Sequence, residues 1–416
     1  MSKIEELIEK LCPDGVEYTT VGKVCDISRG VVMSKDFIRE NAGEYPVYSS
    51  QTENNGELGK ISTYMFDGEY LTWTTDGANA GSVFYRNGKF SVTNVCGLLK
   101  IKIDNILPRF LYFVLQTATK PYVNKGMGNA KLMSNVMATI KIPIPPLEIQ
   151  REIVKILDNF TELTAELTAE LTARKKQYEY YRDSLLTFEQ PEVKTYKIKD
   201  IADIYLGLTY TPNYVDEGVK FLSSKNISND YLDLEDVKYI TREEYDESTS
   251  NAKPKKGDVL FTRVGSNLGH PTIVETDEDL CIFVSLGYLR VNNKLVRNRY
   301  IKHWMNTNFF WKQVDSKVKN APKANLNSSW MREFDISLPS LEVQERIVDV
   351  LDNFDAICSD LKIGLPAEID ARQKQYEFYR EKLLTFDFKP DTLLIEKRSS
   401  AAAQQRSNLR PSPRPN

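Results

Sequence analysis

Histidine is scarce in this chain of 416 residues: there are two, His270 and His303, and they fall in different elements. Isolated imidazoles supply neither a base–nucleophile pair nor a metal cluster, so hydrolytic and zinc chemistry lose their usual groups. The five cysteines (Cys12, Cys25, Cys96, Cys281 and Cys358) are odd in number, scattered and without a CxxC pair. They are expected to be reduced cytosolic thiols, with no metal site among them. No apolar run is long enough to span a bilayer, and the opening MSKIEELIEKL is too charged for a signal peptide. A soluble, cytoplasmic protein with no membrane partner is therefore expected. A net charge of −3 argues against indiscriminate binding of polyanions, although a local basic face remains compatible with it. There is no P-loop. Gly126-Met-Gly128-Asn-Ala-Lys131 imitates one, but it follows no convincing parallel strand and reads as a plain loop. The N/D-P-P-Y/F signature of adenine methyltransferases is missing, and Pro145-Pro146-Leu147 heads a helix instead. Carboxylates on the helices are spaced like solvated faces. No catalytic residue is assigned, and the chain is not expected to be an enzyme.

What the chain does contain is a copy of itself. Residues 145–160 read PPLEIQREIVKILDNF and residues 339–354 read PSLEVQERIVDVLDNF; QYEYYRDSLLTF at 177–188 returns as QYEFYREKLLTF at 375–386. A period near 190 residues is the size of a domain, not of a solenoid repeat. Weaker matches fill the frame. Residues 21–30 and 198–207, offset by 177, each read as a short helix, a strand and a stopping glycine. Residues 73–81 and 261–269, offset by 188, share a G-x-N-x-G turn between strands, where glycine and asparagine permit positive φ. An aromatic-rich helix recurs at 109–115 and 299–305, and an exposed polar loop carries Leu132, Ser134 and Met137 against Leu326, Ser328 and Met331. The stretches 31–69 and 208–258 hardly resemble each other. A constant frame with two unlike inserts suits a pseudo-twofold molecule whose halves read different things.

Residues 148–186 form one uninterrupted helix by periodicity: no glycine or proline, apolar residues at Ile149, Ile153, Ile156, Phe160, Leu163 and Leu167, and acids in the first turns. Its length would be about 58 Å, long enough for a coiled-coil spacer. The second copy, 342–384, is interrupted at Gly364-Leu-Pro366, where proline is expected to break or kink it. Within the first helix Thr164-Ala-Glu-Leu167 is followed by Thr168-Ala-Glu-Leu171. One such tetrapeptide adds about 6 Å, and in a heptad context it is a stutter. Twelve residues separate Phe160 from Ala173 and sixteen separate Phe354 from Ala371, a difference of one tetrapeptide. Either the helix is a generic solvated one or its length is a ruler.

With these residues in view, the chain resembles the DNA-specificity subunit of a type I restriction–modification enzyme, over roughly residues 10–388. The twin IPxPPLEIQ and ISLPSLEVQ entries, the LDNF segments, the QYEYYRDSLLTF helix ends and the tandem TAEL units carry the resemblance. The tandem TAEL belongs to one subgroup. The run Tyr45-Pro-Val-Tyr-Ser-Ser-Gln-Thr-Glu-Asn-Asn-Gly56 with TWTTDGANAG resembles a common type of target-recognition domain. The resemblance implies a mixed α/β (α+β) fold: two target-recognition domains separated by two long antiparallel coiled-coil helices. The expected limits are domains at 1–144 and 189–338, spacer helices at 145–188 and 339–388, and a disordered tail from 389 to 416. It also implies the partners: double-stranded DNA read as a bipartite asymmetric site, two modification (methyltransferase) subunits and two restriction (translocase and nuclease) subunits. S-adenosylmethionine, ATP and Mg would be bound by those subunits, and none on this chain. The competing reading is a coiled-coil adaptor that never reads DNA.

Reading bases takes amide, hydroxyl and guanidinium groups on turns that can enter the major groove. The first half offers Ser49, Ser50, Gln51, Thr52, Asn54, Asn55, Thr74, Thr75 and Asn79; the second offers Ser223, Ser224, Lys225, Asn226, Arg263, Ser266 and Asn267. Thr75 and Arg263 are matched strand ends whose chemistry differs between the copies. Lys253, Lys255, Lys256, Lys317, Lys319 and Lys323 are candidates for phosphate contact, unless they are merely soluble loops. Gln150 and Gln344 at the helix starts, with Tyr178, Tyr181, Tyr376 and Tyr379 at the helix ends, are the candidates for partner contact and coiled-coil packing.

Overall fold

A computed structural model describes residues 3–126, 129–188, 193–227, 231–265, 268–318, 325–360 and 362–387. The chain divides into two compact units, Met1–Thr164 with Arg372–Asn416, and Ala165–Ala371. The division falls inside the long helix, between the first threonine and the first alanine of the tandem TAEL. Each unit is a mixed α/β body.

The first unit holds a six-stranded sheet. Its strand order is Cys25–Arg29, Cys96–Ile101, Phe66–Thr74, Val83–Val92, Ala42–Tyr48, Glu57–Ile61. The second unit holds a four-stranded sheet ordered Ala202–Leu206, Leu286–Val291, Val259–Thr262, Pro271–Ile273. These four match the first four of the six, strand for strand. The pairing of Thr72 with Phe84 in one unit is the pairing of Leu260 with Thr272 in the other. A two-stranded ribbon also recurs, Glu17–Thr20 with Lys141–Ile144 and Lys194–Lys197 with Asp335–Leu338. The inserts differ as their sequences do. In the first unit Ala42–Tyr48 and Glu57–Ile61 extend the main sheet. In the second, Val219–Leu222 builds a separate three-stranded sheet with Lys238–Ile240 and Leu280–Ile282.

The core repeats with the frame. Trp73 and Phe261 are each buried against a glycine of the neighbouring strand. A Cβ at Gly97 would stand 2.3 Å from the Trp73 ring, and one at Gly287 2.6 Å from the Phe261 ring, so only glycine lets either ring lie flat on the sheet. The segment around Leu132 and Leu326, expected as an exposed polar loop, is corrected. It forms the short helices Ser134–Thr139 and Ser328–Met331, and Leu132, Met137, Leu326 and Met331 are fully buried. Ser134 and Ser328 between them are partly exposed.

The long helix runs Leu147–Leu186. Ile149, Ile153 and Leu157, spaced by four, are buried in the first unit's core. Each contributes roughly 2 kcal/mol by area. Along the exposed stretch Thr161, Thr164 and Thr172 return their hydroxyls to the carbonyls four residues back, at 2.8–2.9 Å, which satisfies them without a cap. The second copy is two helices, Leu341–Ser359 and Leu365–Leu384. The break lies just before the proline. Asp360 leaves the helical region, and its carboxylate accepts from Lys362 N and Ile363 N at 2.6 and 3.1 Å. Pro366 then occupies the first turn of the next helix, where its missing N–H costs nothing.

Within the second unit the long helix and Leu341–Ser359 run antiparallel. Tyr181 lies against Phe354 at 5.6 Å between ring centroids, while the earlier residues Arg174 and Lys175 act on the later Cys358. In the first unit Phe160 stacks on Tyr379 at 5.4 Å. All five cysteines are free and buried. No described helix is long and apolar enough to cross a membrane.

Candidate nucleic-acid interface

In the first unit five loops meet at one end of the sheet, and hydrogen bonds tie them together. Asn79 Nδ2 donates to Thr52 Oγ1 at 3.0 Å, joining the G-x-N-x-G turn to the loop after Ala42–Tyr48. Thr93 Oγ1 donates to Ser49 Oγ at 3.0 Å, and Val31 bridges Thr93. Thr75 N and Oγ1 both donate to Val95 O, at 3.2 and 2.9 Å, and Leu132 N donates to Thr75 O at 3.0 Å. Exposed at this end are Asn54, Asn55, Asn79 and Asn94, four amides able to donate and accept. Gln51 is half-buried and spends its amide on Glu57 O, anchoring the loop from within. Asn54 and Asn55 both adopt left-handed backbone, φ +48° and +53°. Side chains held in that region cost free energy, and such strain gathers at working surfaces.

The second unit brings the matching loops together. Ser224 N donates to Ser285 Oγ at 3.2 Å, Arg263 N to Ser285 O at 2.8 Å, and Leu326 N to Arg263 O at 2.9 Å. Lys225 is exposed and pairs with Asp236 at 3.1 Å. Ser266 and Asn267 lie outside the described residues, as do Lys319, Lys323 and the Met127-Gly128 centre of the phosphate-loop lookalike.

Several candidates are corrected by burial. Thr74 and Thr75 are buried, and Thr74 Oγ1 serves the backbone of its own turn, donating to Asn79 O at 2.5 Å. Asn226 is 1% exposed; its oxygen accepts from Ser223 N at 2.9 Å and its amide donates to Asp236 O at 2.9 Å. Arg263, a candidate base reader by its difference from Thr75, is 7% exposed. Its Nε donates to Leu326 O at 3.3 Å and its Nη1 to Val284 O at 2.9 Å, and burial pushes its guanidinium below the ordinary value. The equivalent carbonyl in the first unit, Leu132 O, takes the indole N–H of Trp73 at 2.9 Å. Phe261 stands where Trp73 does and has no N–H, so Arg263 supplies one from the next layer. The difference between the copies is compensation inside the core. Of the lysines, Lys253 donates to Asp246 O at 3.2 Å and Lys256 pairs with Asp277 at 2.6 Å. The exposed Asn94 was missed because it sits in a three-residue turn, Thr93–Val95, with no glycine to mark it.

The helix glutamines are corrected too. Gln150 is fully buried: its oxygen accepts from Leu107 N at 2.8 Å, and its amide donates to Asn105 O at 2.9 Å and Pro145 O at 2.8 Å. Gln344 repeats this with Arg297 N at 2.9 Å, Leu295 O at 3.0 Å and Pro339 O at 3.0 Å. Neither amide has a group left for a partner; each locks a helix start to its own body. Tyr178 and Tyr376 also turn inward. Tyr178 Oη meets His303 Nδ1 at 3.1 Å, and Tyr376 Oη donates to Gln116 Oε1 at 2.9 Å. Tyr181 and Tyr379 are 39% and 40% exposed. His303 is fully buried and its Nε2 meets Asp352 at 2.8 Å, a structural imidazole. Among the described residues no His, Cys, Asp and Glu side chains group so as to hold a metal ion.

The comparisons agree with this frame. The model of the type I restriction modification DNA specificity domain matches the chain twice, over residues 13–174 and 191–371. A Mycoplasma pneumoniae protein carrying the name of a type I specificity subunit, S.MpnORF507P, is 36% identical over 369 residues, 86% of this chain and 95% of its own length. The specificity subunit of the Mycoplasma pneumoniae type I restriction enzyme MpnII is 44% identical over 196 residues, 46% of this chain and 59% of its own. The fold is that of the S subunit of the M. genitalium type I system, with TM-score 0.57 at 13% identity, covering 89% of this chain and 96% of that one. A subunit from a study of type I complex assembly gives TM-score 0.59 at 14% identity, covering 89% and 97%. The chain belongs to the family of type I restriction–modification DNA specificity subunits.

Proposed function

We propose that this chain is the sequence-reading subunit of a type I restriction–modification complex and that it carries no catalytic residue of its own. Each unit reads one half of a bipartite, asymmetric DNA site. The observation that carries this reading is the repeated four-strand frame, with unlike inserts feeding the same convergent loop end in each unit. In the first unit the base-facing groups are Asn54, Asn55 and Asn79, with Gln51 behind them. In the second they are Lys225, Ser266 and Asn267. The long helix, whose residues belong to both units, sets the unread gap through its TAEL units. The half-exposed Tyr181 and Tyr379 contribute to the surface for two modification subunits. Those subunits supply adenine methylation with S-adenosylmethionine, and two restriction subunits supply ATP- and Mg-dependent translocation and cleavage.

The test is the methylation pattern of a genome exposed to the full chain and its modification subunit. A two-part motif is expected. Replacing Asn54 and Asn55 by alanine should relax one part only, and an inserted TAEL unit should lengthen the gap while sparing both parts. A continuous motif, or loss of both parts together, would overturn the reading.

A further inference from the structure

Arg86 is a cation in the wrong place for a residue that only supports a fold. It lies on the Val83–Val92 strand of the first unit and is 3% exposed. Its guanidinium carbon stacks 3.5 Å from the centroid of the Tyr48 ring and 4.7 Å from that of Phe84. Nε donates to Thr72 Oγ1 at 3.1 Å, and Nη1 is buried with no acceptor. Burial pushes the guanidinium below its ordinary value, and the groups that push back are Tyr48, Cys96 and Tyr112, none a carboxylate. Arginine does not release its proton in such a place, so a full charge sits in the protein with no ion-pair partner among the described residues. A buried charge in that state destabilises, and an apolar side chain of similar volume would serve stability better. The second unit is apolar at this place: Val274 stands at the matching position and Leu260 where Thr72 does.

The charge lies directly beneath the candidate reading loop. A Cβ at Gly56 would come within 3.0 Å of Arg86 Nη2 and 3.1 Å of Gln51 O, so glycine at φ +78° lets the guanidinium rise against the loop backbone. Gly56 directly follows the two left-handed asparagines, and Tyr48, under the guanidinium, leads into the same loop. The backbone of Gly56 lies close against the cation there, and in a medium of low dielectric its field is weakly screened.

We propose that Arg86 is the positioning residue of the first reading unit, the buried counter-charge for a DNA backbone phosphate that seats on the loop over Gly56. The phosphate fixes the strained loop in register, so that Asn54 and Asn55 meet base edges. This rests on the DNA-reading function proposed above.

The experiment compares the full chain, assembled with its modification subunit, as wild type, Arg86→Met, Arg86→Gln and Arg86→Lys on duplex DNA carrying the wild-type motif. Affinity is measured across salt concentrations. With methionine or glutamine the slope of log affinity against log salt is expected to fall by about one, with affinity about tenfold weaker at low salt. Lysine should keep the slope. Arg86→Met should melt no lower than wild type, because a burden on the fold has been removed, and its methylation pattern should relax only in the half read by the first unit. A merely structural arginine would lower the melting temperature and leave the slope alone. An unchanged slope for both charge-removing variants, with wild type binding normally, overturns this proposal and spares the reading beneath it. A wild-type complex with no sequence-dependent DNA binding overturns both.

Discussion

Asp158 in the first unit and Asp352 in the second occupy the same place in the duplicated LDNF segment, yet only one of them meets a histidine. Asp158 takes Arg109 at 2.7 Å, and that guanidinium lies among the rings of Tyr85, Tyr112 and Phe113. Asp352 takes the matching Arg299 at 2.7 Å and also His303, which stands where Phe113 does and passes a second contact to Tyr178. Both ring nitrogens are thereby engaged, Nε2 by the carboxylate and Nδ1 by the tyrosine. By contrast the glutamine locks, with three bonds each, are the same in both units. Where the helix start must be held, the chemistry is repeated; farther along the helix the two units found different partners for the same acid.

The largest expected effect tests the sameness. Gln150→Leu and Gln344→Leu each strand one backbone N–H and two carbonyls while keeping the volume, which should cost about 3 kcal/mol apiece. Urea denaturation of the full chain checks it. A loss confined to one variant would break the equivalence of the locks.

Next comes the difference at the aspartates. Burial pushes the Asp352 carboxyl up, but hydrogen bonds from His303 and Arg299 outweigh it and hold the group at about 2, against an ordinary 3.8. A depressed carboxyl stabilises fully above its ordinary value, and that support is lost as pH falls from near 4 towards 2. The size is about 2 kcal/mol. Melting temperatures taken across this window should fall less steeply for Asp352→Asn than for wild type. Identical profiles would remove the asymmetry.

The smallest effect concerns the carbonyl behind the strand end. Arg263→Thr should cost the second unit about 1 kcal/mol by leaving Leu326 O unmet. Adding Phe261→Trp, the first unit's choice, should restore part of it through an indole N–H. A double-mutant cycle reads the coupling, and additivity of the two changes would show that Trp73 and Arg263 do not substitute for one another.

The G-x-N-x-G turns were legible because Gly77, Gly81, Gly265 and Gly269 all take positive φ, a need that glycine announces locally. The helix break near Pro366 was legible for the same reason, though the break itself belongs to Asp360. The candidate base readers were legible only as a list of polar residues. Asn54 and Thr75 look equally able to touch DNA on paper; one is exposed on a strained loop and the other is sealed against Val95 O. Gln150 read as a surface amide because nothing in PPLEIQ says that Asn105, Leu107 and Pro145 close over it.

Duplication, helix length and turn positions follow from contacts between near neighbours in the chain, and the one-dimensional pattern held them without help. Which polar side chains face outward, which acid finds a histidine and why a lone arginine is buried under a loop depend on residues far apart in the chain. Such contacts exist only once the strands have paired, because burial and hydrogen-bond satisfaction are properties of the packed body and not of any segment within it.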